Sequence, residues 1–454
     1  MSIPSPLRVT LLGCGVVGSQ VARGLLSHHS DLAARVGAPV VLDRIVVRDP
    51  DEVTDPDIPR HILTSHAQEA IEGADIVVEL FGGIEPARSL ILQAIAGGAS
   101  VVTANKALLA EHGPQLYEAA DAAGVDLYFE AAVGGAIPIV GPMRDSLAGD
   151  HVQRILGIVN GTTNYVLDQM TSTGMSLEDA VAQAQELGYA EADPTADVDG
   201  FDAASKAAIL ASLAFHTRVS VSDVAREGIR GITADDVAWA SKTGHVVKLL
   251  AIVEATGGGV SARVHPALVP VDHPLAAVHG AFNAVFVQAA AAGPLMFYGQ
   301  GAGGLATSSA VLGDVVKAAR HRVQGTHAAV ESAQVSLPLL GADAIITKFQ
   351  VRMSIEDKPG VLARVAGVFS EYQVSIETVQ QTVAPDQKLG GALPPAGAGS
   401  SVNCTCNCGG GQGMAYLMVT THEASELAMA SIVEVLTACE FVHSIVSILR
   451  IEGN

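Results

Sequence analysis

The sequence is poor in cysteine, in positive charge and in long apolar runs, and each shortage excludes a class of protein. Its five cysteines among 454 residues are odd in number and clustered, which does not make a disulfide framework. Lysine and arginine number 26 against 47 acidic residues, which argues against nucleic acid or an anionic membrane as a partner. The closest approach to a membrane span, 281–298, is interrupted by Asn283, Gln288 and Pro294. The N-terminus leads directly into a predicted strand without a signal-sequence pattern, so we expect a cytoplasmic protein.

What is present indicates a globular α/β protein of several domains. A chain of 454 residues suggests two or three domains, each able to bury its own core. Apolar residues make up 49% of the chain and glycine occurs 47 times, a composition that fits an ordered α/β protein rather than a disordered chain.

The stretch 187–213 carries the most informative pattern. Its acidic first half, broken by proline and glycine, predicts a loop that delivers Glu191, and its second half predicts a helix capped by Asp199 or a neighbour. Within this helix Asp202 and Lys206 are four residues apart and can pair, which on an exposed helix would be an ordinary surface ion pair. The remaining positions are apolar nearly all round, which is typical of a buried helix. Since a buried pair is costly unless a site needs it, we interpret Asp202, Lys206 and Glu191 as a candidate catalytic cluster.

Residues 7–26 predict a strand, a glycine turn and an amphipathic helix with the spacing G-x-G-x-x-G. The first glycine permits the tight turn, the second lets a pyrophosphate approach the backbone, and the third lets the helix pack on the strand. At a strand–helix junction this pattern predicts a Rossmann-type domain that binds a dinucleotide. The predicted cofactor-binding residues of this turn are Gly13, Gly15, Val16, Val17 and Gly18.

The end of the next predicted strand, Val40–Val47, bears on the choice of nucleotide. An NAD-specific site usually has an acid there for the ribose hydroxyl, but this strand is followed by Arg48. An arginine at this place can meet the 2′-phosphate of NADP, whereas the neighbouring Asp49 keeps NAD possible. The alternative is a solvated arginine in a turn.

Three further residues follow predicted strands of the same domain. Gly82, Thr103 and Lys106 each lie at or just beyond the end of an apolar strand. Ligands of parallel α/β sheets bind at the carboxyl ends of the strands, so we predict that these residues lie near the cofactor. The alternative for Lys106 is a surface lysine at a helix N-terminus.

Glu130 ends another predicted strand and is followed by glycine-rich sequence. One carboxylate with several backbone carbonyls offers oxygen ligands to a hard cation. A single negative charge suits a monovalent ion better than a divalent one.

The chain changes character after about residue 150. A predicted strand runs into a turn and a helix where Asn160 and Thr162 supply short polar donors, and 233–255 is predicted to be helical. We therefore expect an α+β catalytic and dimerisation domain over 151–300, while the glycine-rich turn and helix within 300–340 return to the nucleotide domain of 1–150.

The last part of the chain, 349–454, predicts the element order βαββαβ, which is ferredoxin-like. With the sequence DKPGVL at its first turn it resembles an ACT domain, a small amino-acid-sensing module that tends to pair between subunits. A Gly/Pro-rich insertion, 384–413, replaces the short hairpin expected there. It contains Cys404, Cys406 and Cys408, whose spacing of one residue differs from that of structural zinc sites, so a disordered loop with exposed thiols is the favoured interpretation.

Taken in order over roughly residues 7–340, these motifs resemble homoserine dehydrogenase. They are GCGVVG, TANKALLA, FEAAVGGAIPI, GIVNGTTNYVL, ELGYAEADPTADVDGFDAASKAAIL and GQGAGGLATSSAVLGDVV. The resemblance implies interconversion of L-homoserine and L-aspartate 4-semialdehyde with NADP or NAD, in threonine, methionine and isoleucine biosynthesis.

The resemblance also implies roles for single residues. Lys206 matches the family's proton donor, Asp202 and Glu191 match its substrate-binding acids, and Lys106 matches a lysine close to both nucleotide and substrate. Two further sets are nucleotide contacts and a sodium site. They are Gly188 and Gly303 for the nucleotide, and Glu130, Val133, Gly135 and Ile137 for sodium.

The expected assembly is a homodimer or homotetramer, with L-threonine as a possible effector of the ACT domain. A phosphorylating semialdehyde dehydrogenase is disfavoured, because it needs a thiolate and the catalytic region contains no cysteine. The alternative from another class is a non-catalytic sensor with a degenerate nucleotide domain. A proton donor such as Lys206 argues against it, because a sensor does not need one.

Overall fold

The computed structural model describes residues 5–328, 336–341, 344–383 and 413–453. The chain separates into two compact units, Met1–Ala342 and Asp343–Glu452. In the described part of the chain, no helix has both the length and the apolar character needed to cross a membrane. The cytoplasmic location stays a prediction.

The first unit begins with a six-stranded parallel sheet in the order β3-β2-β1-β4-β5-β6. The order reverses between β1 and β4, and ligands of such doubly wound sheets bind in the crevice at that point. The strands are β1 (Leu7–Leu12), β2 (Val40–Val46), β3 (Leu63–Thr64), β4 (Ile76–Glu79), β5 (Ser100–Thr103) and β6 (Leu127–Tyr128). The helices between and after them are α1 (Val16–Ser27), α2 (His29–Val36), α3 (Ala67–Ile71), α4 (Ala87–Ala96), α5 (Lys106–Ala123) and α6 (Ala131–Gly134).

The rest of the first unit contains a second sheet whose neighbouring strands run in the order β12-β11-β7-β9-β10 and pair antiparallel. Its strands are β7 (Val152–Ile158), β8 (Ala225–Arg226), β9 (His245–Thr256), β10 (Gly259–Pro270), β11 (Phe282–Ala289) and β12 (Gly293–Gln300). Its helices are α7 (Gly161–Thr173), α8 (Leu177–Glu186), α9 (Thr195–Val198), α10 (Phe201–Phe215), α11 (Ala234–Lys242) and α12 (Gly304–Gln324).

Two helices of this unit bear directly on the site. Helix α10 packs on β9 and β10 and is buried along most of its length, as its apolar sequence predicts. Helix α12 returns to the parallel sheet, where Val311 and Val315 join the same core as Val9 and Ile45. The glycine-rich turn before α12 is thereby brought back to the nucleotide domain.

The prediction of a helix throughout 233–255 is wrong. Helix α11 ends at Lys242, and β9 begins at His245. The sequence from His245 onward is a nearly continuous apolar run, which short windows cannot assign to a helix or to a strand buried on both faces. Its buried positions include neighbouring residues from Val247 to Val253, as expected of a strand inside a sheet.

The second unit has the predicted ferredoxin-like order. Its strands are β13 (Ile346–Glu356), β14 (Ile376–Val383), β15 (Met414–Thr421), β16 (Ala424–Ser425) and β17 (Val442–Ile451), and its helices are α13 (Val361–Glu371) and α14 (Glu426–Thr437). The four long strands lie in the order β17-β13-β15-β14 and pair antiparallel. The insertion 384–413 lies outside the described residues except for Gly413, and so do Cys404, Cys406 and Cys408.

Candidate active site

Lys206 lies in the middle of α10, and its amine contacts polar groups although most of the helix is apolar. Its Nζ donates to Oδ2 of Asp202 at 2.8 Å and to the Val159 carbonyl at 2.6 Å. Only 8% of Lys206 is exposed. The predicted pair is therefore real and buried, and the carbonyl at the end of β7 is a partner that the sequence did not indicate.

Asp202 is shared between two lysines. Its Oδ1 lies 2.6 Å from Nζ of Lys106, at the start of α5, and its Oδ2 also accepts from Nδ2 of Asn160 at 3.0 Å. Asn160 caps α7 through its side-chain oxygen, and its Nδ2 donates to Asp197 at 2.6 Å. The cluster thus joins residues that follow β5 and β7 to helix α10.

Charge pairing dominates the electrostatics of this cluster. Burial alone would raise the pKa of Asp202, but the ammonium groups of Lys206 and Lys106 outweigh it and hold that pKa well below its ordinary value. Burial likewise opposes the charged form of Lys106, yet the carboxylates of Asp202, Asp197 and Glu191 raise its pKa. Asp202 is therefore a carboxylate throughout the physiological pH range.

The other predicted substrate residues are placed around this cluster. Glu191 is exposed, and its negative charge contributes to the raised pKa of Lys106. Thr162 is buried and donates to the Tyr189 carbonyl at 2.6 Å, which ties α7 to the acidic loop. Asp199 does not cap α10: Gly200 is the N-cap, and the Asp199 carboxylate accepts from Arg230.

The glycine turn has the shape that a dinucleotide requires. Gly13 has a φ of +107°, and a Cβ on Gly18 would lie 2.2 Å from the Gly13 carbonyl oxygen, so both positions need glycine. Gly15 is exposed and has nothing within 4 Å of where its Cβ would be. The backbone at the start of α1 is therefore open to a pyrophosphate, and the residues present fit a nicotinamide dinucleotide.

A cleft of about 1250 Å³ extends from this turn along the carboxyl ends of the strands. It is lined by the predicted residues Gly13, Gly15, Val16, Arg48 and Gly82. Arg48 and Asp49 lie side by side at its wall and are both exposed, and their contact with the adenosine ribose stays a prediction. The cleft is large enough for a dinucleotide.

The remaining predicted nucleotide residues lie outside the lining of this cleft. Thr103 is fully buried, and its hydroxyl donates to Glu79 at 2.6 Å, so its side chain faces the protein interior. Gly303 caps α12 and is followed by Gly304, where an added Cβ would lie 2.9 Å from the Val16 carbonyl oxygen at the start of α1. Gly188 is exposed at the end of α8 with a φ of +76°.

In the structure, the partners of the Glu130 carboxylate are hydrogen-bond donors and a lysine. Its two oxygens accept backbone N–H groups of Ile139, Val140 and Gly141 at 2.6–2.8 Å, and Lys317 lies 3.6 Å away. Val133, Gly135 and Ile137 are buried in the adjoining turn. Three of the roughly four acceptor sites of this carboxylate are thus occupied, and its predicted role as a cation ligand stays a prediction. The backbone oxygens of this turn are further candidate ligands.

Sequence reasoning missed Glu79, the last residue of β4. It is fully buried and accepts from the backbone N–H groups of Phe81 and Gly82 and from the Thr103 hydroxyl. Burial raises the pKa of Glu79, although these hydrogen bonds oppose the rise. The available signal was an acid that ends an apolar strand, with two consecutive glycines after the next two residues.

A doubly wound parallel sheet, a dinucleotide cleft and a buried lysine–carboxylate pair define a nicotinamide-dependent oxidoreductase. Sequence models of known families agree: those described as "Homoserine dehydrogenase, NAD binding domain", "Homoserine dehydrogenase" and "ACT domain" match residues 13–130, 138–316 and 349–393. The chain belongs to the homoserine dehydrogenase family.

Individual relatives extend over nearly the whole chain. It is 51% identical to a homoserine dehydrogenase of Mycobacterium tuberculosis, over 99% of this chain and 98% of that protein. For the Corynebacterium glutamicum protein the identity is 49%, over 99% and 96%. The crystal structure of a homoserine dehydrogenase from Thiobacillus denitrificans superposes with a TM-score of 0.88 at 34% identity, covering 99% of this chain and 98% of that one. A hyperthermophilic archaeal homoserine dehydrogenase in complex with NADPH matches with a TM-score of 0.59 at 28% identity, over 69% and 98%.

Proposed function

We propose that the chain interconverts L-homoserine and L-aspartate 4-semialdehyde, and that Lys206 exchanges the proton. The observation that carries the proposal is the buried Lys206–Asp202 pair beside the strand ends of the nucleotide domain. The bound nicotinamide supplies or accepts the hydride at the substrate carbon. The protein must then hold the substrate and give or take one proton at its oxygen.

Lys206 is suited to the proton transfer by its hydrogen bonds. An ammonium has three donors, and two of them are directed at Asp202 and the Val159 carbonyl. The third is left for the oxygen of the substrate. Because helix α10 and the end of β7 fix the amine from two sides, the proton is held at one place rather than on a mobile side chain.

The surrounding charges suit an amino-acid substrate, which carries both an ammonium and a carboxylate. Lys106 is half-exposed beside Asp202 and can bind the substrate carboxylate, while Glu191 and Asp202 can bind the ammonium. Asn160 and Thr162 hold the acidic loop and α7 together around the substrate. These residues orient the substrate carbon toward the nucleotide.

The decisive experiment follows nucleotide absorbance at 340 nm with homoserine and with NADP or NAD. Lys206→Ala should lower kcat by about 100-fold or more and leave nucleotide affinity nearly intact. The matched control is Lys242→Ala, an exposed lysine at the end of α11, which should turn over normally. Near-normal turnover by Lys206→Ala would remove this lysine from the mechanism.

For the cofactor we infer a preference for NADP over NAD. Arg48 stands at the cleft wall where the 2′-phosphate of NADP would lie, and a guanidinium binds phosphate well. Asp49 beside it is the residue that would favour NAD.

A monovalent cation, sodium by preference, is proposed at the turn 130–137. Backbone oxygens of Glu130, Val133, Gly135 and Ile137 would hold it, with the Glu130 carboxylate contributing charge from a distance. Such an ion would stiffen the turn after β6, where α6 contacts α10 and α12. Thermal unfolding in sodium, potassium and tetramethylammonium chloride at equal ionic strength tests it, and identical unfolding midpoints in all three would exclude the ion.

Regulation by an amino acid, L-threonine by preference, is proposed for the second unit. Gly360 caps α13 without a side-chain hydrogen bond, which leaves the helix N–H groups beside Pro359 available to a carboxylate. The two flanks of the insertion 384–413 reach the same turn: the Asp357 N–H donates to the Gly413 carbonyl, and Gln381 donates to the Asp357 carboxylate. The insertion therefore starts and ends beside the proposed effector site.

Three proteins test the regulation: the intact chain, a chain that ends near Ala344, and a chain with 386–411 replaced by a short turn. If the truncated protein is active and as sensitive to threonine as the intact one, the second unit is not the sensor. A response only in the shortened-loop protein would show that the insertion disables it. We also propose a homodimer or homotetramer that serves threonine, methionine and isoleucine biosynthesis, and sedimentation of the intact chain measures the assembly.

A further inference from the structure

We propose that Glu79 is a positioning residue that couples the nucleotide cleft to Lys106. Through its two carboxylate oxygens it connects the segment Leu80–Gly83, here named the cleft loop, to the N-terminus of α5. The inference rests on the proposed reaction, and it adds a residue that contacts neither nucleotide nor substrate.

One oxygen of Glu79 shapes the cleft loop. Its Oε1 accepts the N–H of Phe81 at 2.8 Å and the N–H of Gly82 at 3.2 Å. Gly82 and Gly83 both have left-handed backbones, with φ of +74° and +73°, so the loop turns sharply around the carboxylate. Leu80, Phe81 and Gly82 line the cleft. This oxygen therefore fixes a wall of the nucleotide site.

The other oxygen reaches α5. Its Oε2 accepts the Thr103 hydroxyl at 2.6 Å, and the Thr103 oxygen accepts the N–H of Asn105 at 3.0 Å. The side-chain oxygen of Asn105 caps α5 by accepting the Leu108 N–H, and its Nδ2 donates to the Gly83 carbonyl at 2.6 Å. The hydrogen bonds form a closed circuit that includes both the cleft loop and the start of the helix.

The circuit ends beside the substrate site. Lys106 is the first residue of α5, directly after the cap, and its Nζ lies 2.6 Å from Asp202. A shift of the cleft loop is transmitted through Asn105 to the backbone that carries Lys106. Binding of a nucleotide against the loop would in this way set the position of the substrate lysine.

The chemistry of the circuit requires a carboxylate. Two backbone N–H groups and one hydroxyl all point at Glu79, which is fully buried, and only an ionised acid accepts all three without bringing a hydrogen of its own. Glutamine would direct an NH₂ group at the Thr103 hydroxyl and leave that hydroxyl proton without an acceptor. Burial of a carboxylate is costly, which a purely structural position could avoid with an apolar side chain.

The two oxygens can be tested separately. Glu79→Gln should weaken nucleotide binding, measured by quenching of protein fluorescence, and lower kcat, each by about tenfold, since both arms are disturbed. Thr103→Val keeps the shape of the side chain but removes only the hydrogen-bonded connection from Glu79 to α5. It should lower kcat by about tenfold while the nucleotide Kd stays within about twofold.

The control is Asp126→Asn, another buried acid of the same domain, whose carboxylate accepts from the Ala328 N–H and pairs with His321. It should lower the thermal unfolding midpoint with unchanged Kd and kcat. The proposal is overturned if both test variants change only that midpoint, or if Asp126→Asn shows the same kinetic losses. If Glu79→Gln does not fold, normal kcat in Thr103→Val overturns it. Nucleotide affinity is measured without homoserine. The connection between Glu79 and the cleft loop can therefore be tested even if the proposed reaction is wrong.

Discussion

Replacing Asp202 by asparagine probes the charge balance of the whole site. The substitution keeps the shape of the side chain but removes the one carboxylate that lies between Lys206 and Lys106. An amide oxygen can still accept a hydrogen bond from one lysine, yet its NH₂ group must face the other lysine or Asn160, each of which is itself a donor in this cluster.

The size of the effect follows from burial. Lys206 is 8% exposed, and a buried charge that loses its partner typically costs about 3–5 kcal/mol. Lys106 has a side-chain exposure of 46% and is largely solvated without Asp202, so it adds little. We expect a loss of stability of about 3 kcal/mol, at the lower end of that range, and a fall in kcat of about 100-fold or more, because the proton donor loses its fixed position.

The pH dependence of the KM for homoserine is a second, independent test of the charge balance. Because Asp202 raises the pKa of Lys106, the pKa of Lys106 should fall in Asp202→Asn. The KM for homoserine should then begin to rise at a lower pH than in the unaltered protein.

The assays are thermal unfolding and steady-state kinetics from pH 6 to 10. Asp236→Asn serves as the matched control, since Asp236 is also buried but accepts its hydrogen bonds from Thr233 in the capping box of α11. An Asp202→Asn protein with unchanged stability and an unchanged pH profile would refute the charge-balance reasoning.

Three shorter predictions follow. Arg48→Ala should raise the KM for NADP and leave that for NAD almost unchanged; equal effects on both would show that Arg48 does not read the 2′-phosphate. Gly18→Ala should abolish nucleotide binding, because its Cβ would lie 2.2 Å from the Gly13 carbonyl oxygen, and normal affinity by calorimetry would contradict this. Burial lowers the pKa of Lys248 to about 8, so between pH 8 and 10 the unfolded chain binds a proton that the native one lacks, and stability should rise with pH. Thermal unfolding of Lys248→Met should lack that rise, and an identical pH dependence in both proteins would exclude Lys248 as its source.

The sequence predicted the parts of the fold and site that depend on local spacing. The four-residue interval between Asp202 and Lys206 on an apolar helix predicted their buried pair, and the three spaced glycines predicted the turn at α1. The element order after Phe349 predicted the ferredoxin-like unit. For the ion pair and the glycine turn the signal is contained within about twenty consecutive residues, and for the second unit it is a succession of such short patterns.

What the sequence left undetermined depends on contacts between distant segments. Neither the Val159 carbonyl behind Lys206 nor the hydrogen bond from Thr103 to Glu79 has a local pattern, because the partners are far apart in the sequence. No local pattern indicated that the N–H groups of 139–141 donate to the Glu130 carboxylate, because the chain must fold back to bring them there. The strand beginning at His245 was mistaken for helix because it is buried on both faces.

The ladder between β14 and β15 remains in register up to the pair Val383 and Ala415, the last before the inserted segment. The entropic cost of closing a connection between two paired strand ends grows only with the logarithm of its length, about 0.6 kcal/mol for each doubling. Insertions and deletions in this hairpin should therefore change the free energy of folding only slightly. The hairpin is also a natural position for grafting a fluorescent reporter, since Gln381 and Gly413 would connect the graft directly to the turn at Asp357.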